Sequence, residues 1–266
     1  MMKTEISVAG HFGEFLQGRI GDRVLLASLP CPDLHVRLDL SPDEPLSVEF
    51  SGNPVLNEAD ILSLTQSVGE TPTGRHRFTL NMPAGGGAGA STAARVAVLR
   101  LYRPDLSPDQ MAQICLRSEG AVDPLMFPGA AQMIWASRQA ETVATRPKLP
   151  KGRVIGGFYG PPRRTDPADS DFAEISDLQS AWTGATTLQK VAEISTESAR
   201  RNRALRGPAE DPTFDLAKEL GAIGVAVAHT GSARGLIFDP AQDVNSDRVF
   251  DTLQAVGFVG CIDFRF

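Results

Sequence analysis

The chain has 266 residues, 42% of them hydrophobic and 22% charged, enough for one large or two modest domains with an ordinary buried core. A formal net charge of −6 with no basic run argues against a nucleic-acid face, and no apolar run in the sequence is long enough to span a bilayer. The opening residues, MMKTEISVAG, lack the apolar stretch of a secretion signal, and Cys31, Cys115 and Cys261 are scattered, which suits reduced thiols in a cytoplasmic protein.

Short alternating runs at residues 6–9, 23–27, 35–40 and 46–50 read as strands, broken at Gly10, Gly13, Gly18 and Gly21. A helix is expected over residues 54–68 and a strand over 75–82. A glycine-rich stretch follows, and then a helix over residues 91–102, where Ala93, Ala94, Ala97, Val98 and Leu101 recur at helical spacing. The next helix has a marked start: Ser107 as N-cap, Pro108 at the first position and Gln110 closing a capping box. It ends near Glu119-Gly120, and a third helical pattern covers residues 130–140.

TRPKLPK, residues 145–151, carries two prolines and three basic residues and suits a junction between domains at 1–146 and 152–266. Beyond it come a strand at 153–158, an exposed polar loop at 161–171 and helical patterns at 177–206 and 212–220. Two apolar runs at 224–229 and 234–239 flank a turn of small residues. Asn245 caps a last helix, and residues 258–266 close as a strand. The mixture is α+β in two lobes.

The stretch PAGGGAGASTAA, residues 83–94, raises the functional question. A linker has no reason to run straight into a strong helix, and a structural turn needs one or two glycines rather than four. A third reading is an anion site: glycines let backbone N–H groups approach a ligand, and the helix N-terminus adds unpaired donors and positive dipole. A Walker loop is excluded because the nearest downstream lysine is Lys148, and the protein-kinase signatures H-R-D and D-F-G are missing. Gly85-x-Gly87-x-x-Ala90 fits a relaxed dinucleotide fingerprint, with Asp105 twenty residues after Gly85. That acid should end a second strand, however, and only YRPDL separates Leu101 from Ser107.

Written as Pro83-Ala84-Gly85-Gly86-Gly87-Ala88-Gly89-Ala90-Ser91-Thr92-Ala93, the stretch resembles the signature P-x3-G-L-G-S-S-A-A of the GHMP small-molecule kinases. It departs from it at Ala88, Ala90 and Thr92 and keeps the second serine as Ser91. The Glu and Asp that this family carries after the following helix are matched by Glu119 and Asp123 in SEGAVDP, a spacing one residue longer than the E-P-T-D form. GVAVAHTGSARGLIF, residues 224–238, resembles the family's C-terminal glycine motif in the version V-A-H-S-G-T-x-x-G-L. Together with Gly13-Glu14-Phe15-Leu16-Gln17-Gly18, it is most similar to the propanediol-utilization type of L-threonine kinase.

The resemblance implies a two-lobed GHMP kinase fold, with an N-terminal lobe like ribosomal protein S5 and a ferredoxin-like C-terminal lobe. It implies ATP and Mg²⁺ as cofactors and an alcohol as acceptor, L-threonine giving O-phospho-L-threonine for cobalamin biosynthesis. On it, Pro83, Gly85, Gly86, Gly87, Ala88, Gly89, Ala90, Ser91 and Thr92 hold ATP. Ser91 and Glu119 hold the metal, and Asp123 orients or deprotonates the hydroxyl. Glu14, Gly13, His229 and Gly231 face the substrate, with Glu14 for an ammonium and Arg19 or Arg234 for a carboxylate. His229 can be read as a base or as a support for its loop, and His11 is similarly open. The rivals are another acceptor (homoserine, a sugar or an isoprenoid alcohol) and a ligand sensor without turnover, which need not retain Ser91, Glu119 and Asp123 together. The partner is a small molecule, with no nucleic acid and no membrane.

Overall fold

The computed structural model describes residues 5–266. Residues 5–41, broken by glycines in sequence, form one long antiparallel hairpin of β1 (Glu5–Ile20) and β2 (Arg23–Ser41). A two-residue Gly21-Asp22 turn closes it, with Gly21 at φ +61°, where glycine carries no steric cost. Three register irregularities in β1 fall between Ala9 and Leu16. Bulges re-aim side chains, and these turn His11 and Glu14 toward the same cavity.

β3 (Ser47–Ser51), α1 (Glu58–Gln66), β4 (Arg75–Leu80), α2 (Ala90–Tyr102) and α3 (Pro108–Glu119) follow, and then β5 (Met133–Ala136) and β6 (Glu141–Thr145). The second half contains β7 (Arg153–Phe158), α4 (Ser176–Gly184), α5 (Leu188–Arg206), α6 (Thr213–Glu219), β8 (Gly224–Val227), β9 (Ala233–Phe238), α7 (Ser246–Ala255) and β10 (Val259–Arg265). The main sheet runs β10-β7-β9-β8-β1-β2-β4-β3, antiparallel except for the β3–β4 pair. The halves meet where Glu14 of β1 pairs with Val227 of β8. One large apolar core, including Phe12, Phe78, Trp135 and Trp182, extends through both halves. A smaller one, with Val225, Leu236, Phe238 and Leu253, lies under α6 and α7.

Residues 130–140 are not a helix. A single 3₁₀ turn leads into β5, which pairs with both β2 and β6. Trp135 explains the outcome: its ring is fully buried and its Nε1–H donates to the Val122 carbonyl at 2.7 Å. Pairing with Leu25 and Leu26 near the start of β2 outweighs the helical spacing of AAQMIWA. The partner β6 is short and mostly exposed, so its sequence carries little apolar signal. The expected helix over 177–206 is broken into α4 and α5, and α5 starts afresh with Thr187 accepting from Lys190 N–H. α3 matches its reading in detail, with a reciprocal Ser107–Gln110 box and Gly120 at φ +76° ending it.

Candidate active site

The glycine loop takes its shape from three left-handed residues, Gly85, Gly87 and Gly89, at φ +75°, +76° and +75°. Gly89 is the N-cap of α2 and no side chain caps that end, so the first-turn N–H groups are left for something else. The first turn also lacks an acidic residue, leaving the positive end of the helix dipole without a protein counter-charge. Ser91 is the second residue of α2, and its hydroxyl is turned toward the end of α3. A Cβ on Gly87 would lie 2.3 Å from the Ala228 methyl, and one on Gly89 would lie 2.8 Å from Leu125 and 2.9 Å from His11. The glycines are therefore required by what packs behind the loop, as well as by their φ.

The C-terminal end of α3 meets the N-terminal end of α2 beside this loop. Ser91 Oγ donates to Glu119 Oε2 at 2.7 Å, and Thr92 Oγ1 donates to Glu119 Oε1 at 2.6 Å. Arg95 Nη1 donates to Ser91 Oγ at 2.6 Å and stands 3.4 Å from Glu119 Oε2. Burial pushes the Glu119 carboxyl up, with Arg95 and the two hydroxyls pulling against it. Its place at a helix C-terminus adds to the demand for positive charge. Asp123 follows, with its N–H donating to Thr92 Oγ1 at 3.3 Å and its side chain a quarter exposed.

His11 stands opposite Asp123, its Nε2 3.5 Å from Oδ2 and without a hydrogen-bond partner among the described residues. Its Nδ1–H donates to the Gly13 carbonyl at 3.1 Å, and its backbone N–H donates to the Ala88 carbonyl at 3.1 Å. Burial disfavours the imidazolium, but the Asp123 and Glu14 carboxylates outweigh it and lift the pKa to about 9.

These groups line a single cavity of about 210 Å³ with Ala84, Gly85, Gly87–Thr92, Glu14 and Gln17. That is below the roughly 300–1,000 Å³ of clefts that enclose a drug-sized ligand, so it suits the reacting ends of two molecules rather than a whole nucleotide. Pro83 and Gly86 lie behind the loop; the Gly86 carbonyl accepts from the N–H groups of Ser232 and Ala233.

The C-terminal glycine motif is placed differently from its sequence reading. Gly231 abuts Gly86 and Gly87, where its Cβ would lie 2.3 Å from Gly87 N, and Gly13 packs on the Val227–Ala228 backbone. His229 is buried behind Glu14, its Nε2 3.1 Å from Ser198 Oγ and its N–H donating to Glu14 Oε2 at 3.2 Å. Only Thr230 of this turn reaches the cavity. Arg234 is not available to a ligand carboxylate, because it is buried against Asp211 at 2.7 Å and donates to the carbonyls of Ala228, Gly231 and Ala233. Arg19 lies in a separate open groove of about 770 Å³, where its Nε donates to the Phe172 carbonyl.

Sequence reasoning missed three arginines that line the cavity: Arg95, Arg163 and Arg164. Arg163 and Arg164 come from the polar loop 161–171, which lies across the start of the glycine loop: Arg163 N–H donates to the Gly85 carbonyl at 2.9 Å. The adjacent pair in PPRRTDPAD was the available signal.

Among the described residues, no three His, Cys, Asp or Glu side chains gather as a metal cluster. Ser91 and Glu119 nevertheless offer adjacent hydroxyl and carboxylate oxygens, a hard donor pair of the kind Mg²⁺ uses when phosphates and water complete its shell. The residues fit that ion.

No family model and no curated protein matches the sequence. Solved structures do match the fold. A mevalonate kinase from Methanococcus jannaschii superposes with a TM-score of 0.68 at 12% identity, covering 98% of this chain and 96% of that one. A mevalonate kinase from methicillin-resistant Staphylococcus aureus gives 0.61 at 13%, covering 100% and 99%. A homoserine kinase from Cytophaga hutchinsonii gives 0.54 at 15%, covering 100% and 95%. The fold is that of the GHMP kinases. The four strands β10-β7-β9-β8 at one end of the sheet all come from residues 153–265, and the glycine loop and α2 from residues 83–102. Among the described residues no helix is long and apolar enough to cross a membrane.

Proposed function

We propose that the protein transfers the γ-phosphoryl group of ATP to the hydroxyl of a small amino acid, L-threonine, forming O-phospho-L-threonine. One observation carries the reading. The uncapped N-terminus of α2, the Ser91–Glu119 pair and the Asp123 carboxylate converge on one cavity beneath a loop of left-handed glycines. Phosphoryl transfer needs little besides positioning and charge stabilisation, and these groups provide both. The loop amides and the α2 dipole hold the triphosphate. Mg²⁺ held by Ser91 and Glu119 would neutralise phosphate charge. Asp123 orients the acceptor hydroxyl and takes its proton as the oxygen bonds to the γ-phosphorus, the bridging P–O bond breaks and ADP leaves.

The acceptor assignment rests on charged residues in the cavity lining. Glu14 lines it and suits an ammonium, while Arg163 or Arg164, rather than Arg19 or Arg234, would meet the carboxylate. A neutral sugar would need neither. ADP release is the test, measured with L-threonine, L-serine, L-homoserine, galactose and mevalonate. Turnover with L-threonine is expected, weaker turnover with L-serine because the missing methyl costs roughly 1 kcal/mol of contact, and none with galactose. Phosphorylation of a sugar or mevalonate with threonine inert would overturn the amino-acid assignment. ATP binding without turnover of any acceptor would favour a sensor.

A further inference from the structure

Arg95 is a buried cation near the N-terminal end of α2 that the proposed reaction does not use. It stands one helical turn after Ser91, which brings Nη1 to 2.6 Å from Ser91 Oγ and 3.2 Å from the Ser91 carbonyl. Its Nε donates to Ser118 Oγ at 2.9 Å, so the guanidinium is fixed between α2 and the last turn of α3. Both Glu119 oxygens are already engaged, each accepting a hydroxyl proton, and Arg95 adds its charge 3.4 Å from one of them. The Ser91 hydroxyl gives its proton to Glu119 and one of its two lone pairs to Arg95.

We propose that Arg95 is a resident counter-cation of the Ser91–Glu119 pair, which keeps a divalent metal from loading there until a nucleotide arrives. The inference rests on the reading of Ser91 and Glu119 as metal ligands. A bare divalent ion entering the pair must displace the Ser91–Arg95 bond and settle beside a fixed positive charge in a buried site, where Coulomb repulsion is poorly screened. The triphosphate changes both conditions. Its oxygens give the Arg95 guanidinium, which borders the cavity, a second anionic partner, and they supply the metal's remaining ligands. Metal and nucleotide then bind together rather than in either order.

Mn²⁺ binding followed by electron paramagnetic resonance and water-proton relaxation tests this without measuring turnover. The wild-type protein alone should bind Mn²⁺ weakly, and with a non-hydrolysable ATP analogue it should give an enhanced ternary complex. Arg95→Gln alone, checked for folding by circular dichroism, should bind Mn²⁺ roughly tenfold or more tightly than the wild type alone, as expected when a buried charge next to a binding site is removed. Arg95→Lys, which keeps the charge, should stay close to wild type. If Arg95→Gln does not fold, Ser118→Ala removes the Nε anchor and should still raise the affinity of the free protein. Unchanged Mn²⁺ affinity in the folded variant overturns the proposal. A wild-type ternary complex without enhancement, together with an unchanged variant, overturns the metal-ligand reading as well.

Discussion

The glycine loop at residues 83–92 and the turn at residues 228–234 face each other, and both are rich in small residues, yet their backbone groups are spent differently. In the first, the helix end is uncapped and its donors border a cavity. In the second, nearly everything is committed to protein. Ser232 and Ala233 N–H groups hold the Gly86 carbonyl, Gly231 fits under Gly87, and Arg234 binds three carbonyls of its own turn. One loop presents groups to a ligand and the other fixes its position. Motif likeness alone could not separate these roles, because a glycine needed for close packing and a glycine needed for a ligand look the same in sequence.

The sharpest way to break this division is Asp123→Asn on the ligand side. The amide keeps the shape and cannot accept the hydroxyl proton, so kcat should fall by about 10²–10⁴-fold with ATP affinity nearly unchanged. Steady-state ADP release and calorimetry would check this, and an unchanged kcat would remove Asp123 from the chemistry. On the supporting side, Arg234→Gln should leave Asp211 buried without its charge partner and cost about 3–5 kcal/mol in urea denaturation. Retained stability with a raised acceptor KM would instead place Arg234 at the ligand.

His11, whose backbone N–H donates to Ala88 of the glycine loop, gives a pH test. Its folded pKa of about 9 lies above the ordinary 6.5, so its stabilising charge is fully present below about pH 6.5 and lost as pH rises through 9. The difference corresponds to the order of 3 kcal/mol. Urea midpoints of the wild type should fall between about pH 6 and about pH 10, and those of His11→Gln should fall by less. The smallest effect is expected at Arg163 and Arg164, which are exposed. Replacing either by alanine should change stability by no more than about 0.5 kcal/mol while raising the acceptor KM. A KM unaffected in both variants would leave the carboxylate contact without a residue.

Local features were legible in the sequence. The Ser107–Gln110 cap, the glycine loop and the α2 stripe depend on neighbours within a few residues, and the structure shows them where the sequence places them. Long-range pairing was not legible. The hairpin of β5 and β6 exists because β2 offers an edge, and nothing in residues 130–145 encodes that edge. The fate of Arg234 depends on Asp211, and that of Arg95 on Ser118 and Glu119, partners that only the fold brings together. Arg163 read as loop polarity for the same reason. Its relation to Gly85 spans the two halves of the chain.

Hydrogen exchange in the presence of ATP and Mg²⁺, without an acceptor, tests most directly whether the cavity beneath the glycine loop is the nucleotide site. The amides of residues 85–95 and 119–123 should be strongly protected relative to the free protein, with residues 19–24 and 170–174 of the open groove unchanged. Protection confined to that groove, with the glycine loop exchanging as before, would contradict the assignment.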